Sequence, residues 1–272
     1  MKQQIILLTG GSSGIGLEVA KQLMNRGARI YSASRRIGTA QKALQGGGEI
    51  IPVQLDINNE EETNLVINRI LQESQRIDAV ICNAGNGLAG SVEDTSADEV
   101  RYQLETNFFG TVKTINACLP VFRKQGYGKI MSTSSVAAIV PIPYQAFYSA
   151  GKSALLTFMQ ALSMEVKPFG IQCCTVLPGD TKTEFTSARK YTEASQLADS
   201  AYTARMKKSV EKMVHDEENG MSASFVARKM TNQIMSKRMK SILIPGVQYK
   251  LICWLFNVLP VRLRLWCVGQ LY

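Results

Sequence analysis

The chain has 272 residues, 45% of them hydrophobic and 19% charged. Its mean hydropathy is −0.03. That composition excludes a disordered chain, a collagen-like fibre, a disulfide-stapled mini-protein and a polytopic membrane protein, and the length suits one α/β domain of roughly 250 residues. Lys and Arg number 31 against 22 Asp and Glu, a formal charge of +9 that points to anionic partners such as nucleotide phosphates or an acidic membrane surface.

Taken in chain order, the start offers an apolar core of only four residues, Ile5 to Leu8, before a glycine loop. That is too short for a secretory signal. Strands are predicted at 5–9, 29–34, 50–55, 78–83, 129–133, 171–177 and 241–244. They are continuous apolar runs, as a parallel sheet covered on both faces requires. Between the first two, Ile15, Val19, Ala20, Leu23 and Met24 repeat at helical spacing, and Gly27 stands as a helix terminator. Helices are also predicted at 59–72, 97–124 and 147–167, with Gly46 to Gly48 as a loop. The alternation predicts an α/β class: one doubly wound Rossmann domain with a roughly seven-stranded parallel sheet and helices on both faces. Residues 1–245 make this dinucleotide-binding and catalytic domain. Within it, 181–220 is a polar insertion expected to cover the ligand, and 246–272 is a separate apolar and basic tail.

Six cysteines (Cys82, Cys118, Cys173, Cys174, Cys253 and Cys267) form no CxxC pair, and His215 is the sole histidine. No metal site is expected, and a reducing compartment, the cytoplasm, fits best. Basic residues are spread along the chain without a nucleic-acid-binding motif, so no nucleic-acid partner is expected.

The chemistry begins at residues 9–16, TGGSSGIG, between the first strand and the first helix. Glycines there permit a tight turn and close approach of backbone to a pyrophosphate, and the helix start offers free N–H groups. At the end of the second strand the chain reads Ser34-Arg35-Arg36, where an acid would select the ribose 2′-OH of NAD. Two guanidiniums suit a 2′-phosphate instead, which favours NADP(H). Further on, Tyr148 and Lys152 lie at i and i+4 on one helix face, and Ser135 stands 13 residues before Tyr148. A phenol with a pKa near 10 is a poor base, and a neighbouring ammonium favours its ionised form.

Together, TGGSSGIG, CNAG at 82–85, Asn107 in TNFFG, Ser135, YSAGK at 148–152 and PGDTKT at 178–183 resemble the short-chain dehydrogenase/reductase family, over about residues 3 to 245. The resemblance implies an NADP-preferring enzyme that interconverts an alcohol and a ketone or aldehyde. It implies Tyr148 as general acid/base and Lys152 as the group that lowers its pKa and binds the nicotinamide ribose. Ser135 would hold the substrate oxygen, making Ser135 and Tyr148 the substrate contacts, and Asn107 would hold a relay water. The cofactor would lie on Gly10, Ser12, Ser13, Gly14, Ile15 and Gly16, with Arg35 and Arg36 on its phosphate. Asp56 and Ile57 would meet the adenine, and Asn83, Ala84 and Gly85 the floor of the site. Pro178, Gly179, Thr181 and Thr183 would sit near the carboxamide. Two departures stand out: Cys82 replaces the family's first Asn, and Gly151 precedes the lysine.

Val136, Ile139, Val140 and Ile142 flank the catalytic residues, which suggests a lipophilic substrate of steroid, retinoid or acyl type. The tail carries Trp254, Trp266 and Tyr272 beside Lys250, Arg262 and Arg264. It reads as an interfacial membrane contact or as a segment packed on the core or on another subunit. The resemblance implies a homodimer or homotetramer through the 147–167 helix, with a monomer held at a membrane as the competing case. The alternative from another class is an NADP-binding regulator without turnover.

Overall fold

The apolar runs are long because the strands are covered on both faces. Successive side chains of a strand point to opposite sides. In β1 (Ile5–Thr9), Ile5 and Leu7 enter one buried cluster while Ile6 and Leu8 enter another. In β5 (Ala79–Cys82), Val80 and Cys82 join the first cluster, and Ala79 and Ile81 the second. The structure is a computed structural model that describes residues 3–43, 46–197 and 200–272.

β1 pairs in parallel with β2 (Arg29–Ser34) on one side and with β5 on the other. Beyond β2 lies β4 (Glu49–Gln54); beyond β5 lie β7 (Gly128–Thr133), β8 (Ile171–Val176) and β12 (Ile242–Leu243), all parallel. The first face is covered by α2 (Glu60–Ser74), α4 (Gly110–Gln125) and α5 (Ala146–Glu165) through Ile70, Phe122 and Met159. The second is covered by α1 (Gly14–Met24) and α7 (Ala223–Met235) through Leu23 and Met230. Local chemistry starts α2: the Asn59 side chain accepts from Glu62 N at 3.2 Å, and Glu60, Glu61 and Glu62 face the positive helix end.

The seven parallel strands are those expected, and among the described residues β3 (Gln41–Lys42) adds an antiparallel edge beside β4. Two polar residues carry no alternation that would reveal it. Two expectations about helices need correction. The single helix expected at 97–124 is interrupted. It comprises α3 (Ala97–Leu104), a π-helical turn at Glu105–Phe109 and then α4. The i→i+5 turn shifts the helical phase by about one residue, a change too local for apolar periodicity to display. Gly27 is left-handed (φ 84°) as expected, but α1 ends earlier, at Met24.

The polar insertion contains β9 (Thr181–Lys182), β10 (Lys190–Tyr191) and α6 (Thr203–Glu218). β10 pairs with β6 (Leu88–Ala89), and β9 with β11 (Met221–Ser222). The tail is two helices, α8 (Val247–Val258) and α9 (Val261–Leu271). Among the described residues no helix is long and apolar enough to cross a membrane. All six cysteines are free, and only Cys267 is exposed.

Strand order reverses between β1 and β5, one branch running to β4 and the other to β12. Open α/β sheets bind ligands at the carboxyl ends of the strands beside such a switch point. The loops after β1, β5, β7 and β8 therefore converge there. Phe122, fully buried and packed on the backbone of Gly128 at the start of β7, supports this arrangement from below. Phe122→Ala is expected to cost about 3–5 kcal/mol in chemical denaturation.

Candidate active site

The glycine loop is built by close approach. A Cβ at Gly16 would lie 2.0 Å from the Gly10 carbonyl oxygen, and one at Gly10 (φ 67°) would lie 2.7 Å from the Ala84 backbone. Only glycine lets the first turn of α1 sit on the loop and the loop sit on the β5 end. Ser13 is the N-cap of α1, but its side chain makes no capping bond. The Gly14 N–H instead donates to the Glu184 carboxylate at 3.1 Å. An anion thus already rests on the helix amino terminus, where the free N–H groups and dipole favour negative charge.

Asn83, just after β5, ties the strand ends together. Its side chain donates to the Gly10 carbonyl at 3.1 Å and accepts from the Thr133 hydroxyl at 3.1 Å. Its backbone N–H donates to the Thr9 hydroxyl at 3.2 Å. Thr133 is the last residue of β7, and its carbonyl accepts from Lys152 Nζ at 2.9 Å.

Asn107 stands in the π-helical turn, buried, and donates to the Asn86 carbonyl at 2.8 Å while accepting from Asn86 N at 3.2 Å. A Cβ at Gly85 would be 2.7 Å from Asn107 Oδ1 and 3.5 Å from Lys152 Nζ, so Gly85 leaves room for both groups. Ser135 follows β7 and caps a short 3-10 turn, accepting from Ala137 N at 3.0 Å. Its neighbour Ser134 is buried, with its hydroxyl bonded to the Lys152 carbonyl at 2.7 Å. Ser135 is therefore the serine left for the cleft. Tyr148 and Lys152 share a face of α5, with Nζ 5.6 Å from the Tyr148 ring centre. Gly151 between them packs on α3: a Cβ there would be 3.2 Å from Leu104. Cys82 points into the core beneath, so its replacement of the usual Asn leaves the cleft intact.

Electrostatics differ from the expectation in one respect. Desolvation pushes the Tyr148 phenol up to about 12, although the nearby Ser135 hydroxyl pulls the other way. The same cause lowers the Lys152 ammonium to about 8. The Lys152 ammonium, donating to the Thr133 carbonyl, does not offset this desolvation. Both shifts favour the neutral phenol over the phenolate.

The remaining candidate residues stand on the loops after β2, β4 and β8. Arg35 and Arg36 are exposed in the loop after β2 and form no ion pair among the described residues. Asp56 follows β4 and accepts from Asn58 N at 3.0 Å, with Ile57 buried beside it. A hollow of about 770 Å³ is lined by Asp56, Asn58, Asn59, Glu60, Glu61 and Asn64, without Tyr148. The Pro178 carbonyl accepts from Val136 N at 2.9 Å, bringing the loop after β8 to Ser135. Thr181 donates to the Gly179 carbonyl at 2.8 Å, and Thr183 lies over Gly14.

Four contributors carried no usable sequence signal. Asn86 partners Asn107. Glu184 reaches Gly14. Arg189 is buried against Glu217 in the insertion. Tyr249, from the tail, lays its ring on Gly179 and donates to Asp180 at 3.0 Å. Phe185, which the sequence marks as part of the covering segment, meets the Tyr148 ring at 5.9 Å.

A sequence model described as short chain dehydrogenase matches residues 4–194. The chain is 38% identical over 220 residues to a 3-ketodihydrosphingosine reductase of Bacteroides thetaiotaomicron, covering 81% of this chain and 79% of the relative. It superposes on a short-chain dehydrogenase/reductase of Burkholderia phymatum solved with NAD, with a TM-score of 0.78, 19% identity and coverage of 93% and 92%. It likewise superposes on a Burkholderia cenocepacia short-chain dehydrogenase solved with NADP, with a TM-score of 0.71, 22% identity and coverage of 97% and 96%.

The lowered Lys152 makes a pH prediction. The unfolded chain holds this proton up to about 10.5 and the folded chain only to about 8, so the penalty is full below pH 8 and fades as pH rises toward 10.5. Lys152→Met is expected to stabilise the fold at pH 7, by up to about 3 kcal/mol, with a smaller gain at pH 10. Denaturation curves at the two pH values check the sign.

Proposed function

The chain belongs to the short-chain dehydrogenase/reductase family of oxidoreductases, and on that premise we propose that it is an NADP(H)-dependent enzyme interconverting an alcohol and a carbonyl on a lipophilic substrate. The observation that carries this reading is the arrangement of Ser135, Tyr148 and Lys152 at the switch point, beside a glycine loop whose helix terminus already accepts a carboxylate. The cradle suits a dinucleotide pyrophosphate, since backbone N–H groups and glycine-only contacts are what such a group needs. When bound, the dinucleotide supplies or accepts the hydride.

The chain's own groups do the rest. The Ser135 hydroxyl donates to the substrate oxygen and stabilises charge that develops there. Tyr148 Oη, neutral at working pH, gives its proton to that oxygen in reduction and takes it back in oxidation. The Lys152 ammonium orients the ribose hydroxyls and, with Asn107, carries the proton onward. Gly10, Ser12, Ser13, Gly14, Ile15 and Gly16 bind phosphate, and Glu184 gives way to it. Asp56 and Ile57 border the adenine, Asn83, Ala84 and Gly85 form the floor, and Pro178, Gly179, Thr181 and Thr183 hold the carboxamide.

Two features support the finer parts of the reading. Arg35 and Arg36 present free guanidiniums where a 2′-phosphate would lie, which favours NADP(H) over NAD. An apolar cluster of Met206, Val210 and Met213 with Ile142 and Tyr144 lies next to the Tyr148 segment, and the relative is named a 3-ketodihydrosphingosine reductase. Residues 1–245 serve as the catalytic domain and 246–272 as a peripheral membrane attachment. A homo-oligomer forms through α5. The regulator without turnover is disfavoured by the complete set of Asn107, Ser135, Tyr148 and Lys152.

NADPH oxidation against lipophilic and small ketones tests the reading, with Tyr148→Phe as the blank. Turnover is expected to fall by about 10²–10⁴ in that variant. The double change Arg35→Glu and Arg36→Glu is expected to weaken NADPH binding by about 10- to 100-fold and NADH binding much less. Equal losses for both cofactors would refute the assignment to NADP(H).

A further inference from the structure

The tail helices leave an apolar surface with nothing of this chain against it. α8 buries one stripe, Tyr249, Cys253 and Phe256, at positions i, i+4 and i+7. The rest of α8 faces outward. α9 buries only Val268. Leu251, Trp254, Val258, Val261, Leu265 and Trp266 are all exposed, Trp254 to 59% and Trp266 to 61%. A helix pair this apolar requires a cover. It is too short to be a membrane span.

Charge decides between covers. Between 246 and 272 there is no Asp or Glu, while Lys250, Arg262 and Arg264 are all basic. Arg264 is taken up within the tail, donating to the Phe256 carbonyl at 2.6 Å and covering the Phe256 ring. Lys250 and Arg262 remain exposed among the outward apolar residues. A second copy of the chain, joined by a two-fold axis through this patch, would set cations against cations. An anionic lipid surface meets both features, headgroups taking the cations and the acyl boundary taking the tryptophans.

The face is also tied to the candidate active site. Tyr249 packs on Gly179 and bonds Asp180 in the loop after β8. At the far end, Tyr272 packs on the cluster of Met206, Val210 and Met213 that also holds Ile142 and Tyr144. We propose that α8 and α9 form a docking face for an anionic lipid surface, set at the mouth of the substrate side. This proposal rests on the peripheral attachment named with the function and commits it to one partner.

The chain provides its own probe, because its only two tryptophans are Trp254 and Trp266. Full-length protein is titrated with phosphatidylcholine vesicles and with vesicles containing one quarter phosphatidylglycerol. Tryptophan emission and co-sedimentation are read together. The mixed vesicles are expected to shift emission to the blue and sediment the protein, and pure phosphatidylcholine to do so at least about tenfold more weakly. The double change Lys250→Glu and Arg262→Glu is expected to remove that preference while circular dichroism stays unchanged. Trp254→Ser with Trp266→Ser is expected to abolish sedimentation.

Equal binding to both vesicle types, or no binding to either, overturns the proposal. So does a dimer in solution that the tryptophan changes convert to monomer, which would assign the face to a second copy. NADPH turnover on a water-soluble ketone, measured on the same samples, separates the two readings. Turnover without vesicle binding refutes the docking face alone, and vesicle binding without turnover on any of the lipophilic and small ketones refutes the reductase alone.

Discussion

The candidate site depends on one side chain that holds three strand ends in register. Asn83 leaves β5 and bonds the glycine loop through the Gly10 carbonyl and β7 through the Thr133 hydroxyl. The Thr133 carbonyl then holds the ammonium of Lys152, on α5. Phosphate cradle, sheet and proton-handling helix therefore move as one unit. Asn83 and Thr133 are half-buried and Lys152 is buried, so a lost partner in this network is at best partly replaced by water. The network costs little if complete and much if any member shifts, which makes it a rigid base for residues that must sit within a few tenths of an ångström.

Desolvation sets the protonation states above that base. Removing water from Tyr148 favours the neutral phenol, and removing it from Lys152 disfavours the ammonium. These shifts run in opposite directions on the pKa scale and leave two groups able to pass a proton, one a donor and one close to neutrality. Charges in the insertion also bear on Tyr148: Glu217 raises it and Arg189 lowers it. These two are themselves a buried pair, so their effects on the phenol largely oppose each other.

The segments that cover the site are built differently from the sheet. Phe185 closes on Tyr148, Tyr249 on Gly179, and Tyr272 on the methionines of α6. Each is an aromatic side chain from outside the sheet laid against a glycine, another ring or a flexible side chain. Such contacts carry large buried areas with few directional bonds. They define an apolar side to the cleft and, through the tail, connect it to the outward face of α8 and α9.

Much of this was legible in the chain itself. The β1 and β2 bounds, the parallel class, the glycine loop and the Tyr148–Lys152 pair follow from patterns local in sequence: apolar runs, glycine spacing, and an i,i+4 face; Asn107 and Ser135 were marked by the family resemblance. Local patterns survive because one strand or one helical turn imposes them on neighbouring residues. The π-helical turn at Asn107, the edge strand at Gln41, the Glu184 carboxylate on Gly14 and the Tyr249 ring on Gly179 were not legible. The carboxylate bond spans 170 positions of sequence, and no local preference records it. The direction of the Tyr148 shift was also beyond the sequence, which supplies the lysine but not the depth of burial. The chain by itself determined which groups are present and which helix or strand end carries them. The tertiary structure alone decided which of them meet and how little water they share, because distance and desolvation are properties of the packed chain rather than of any stretch of it.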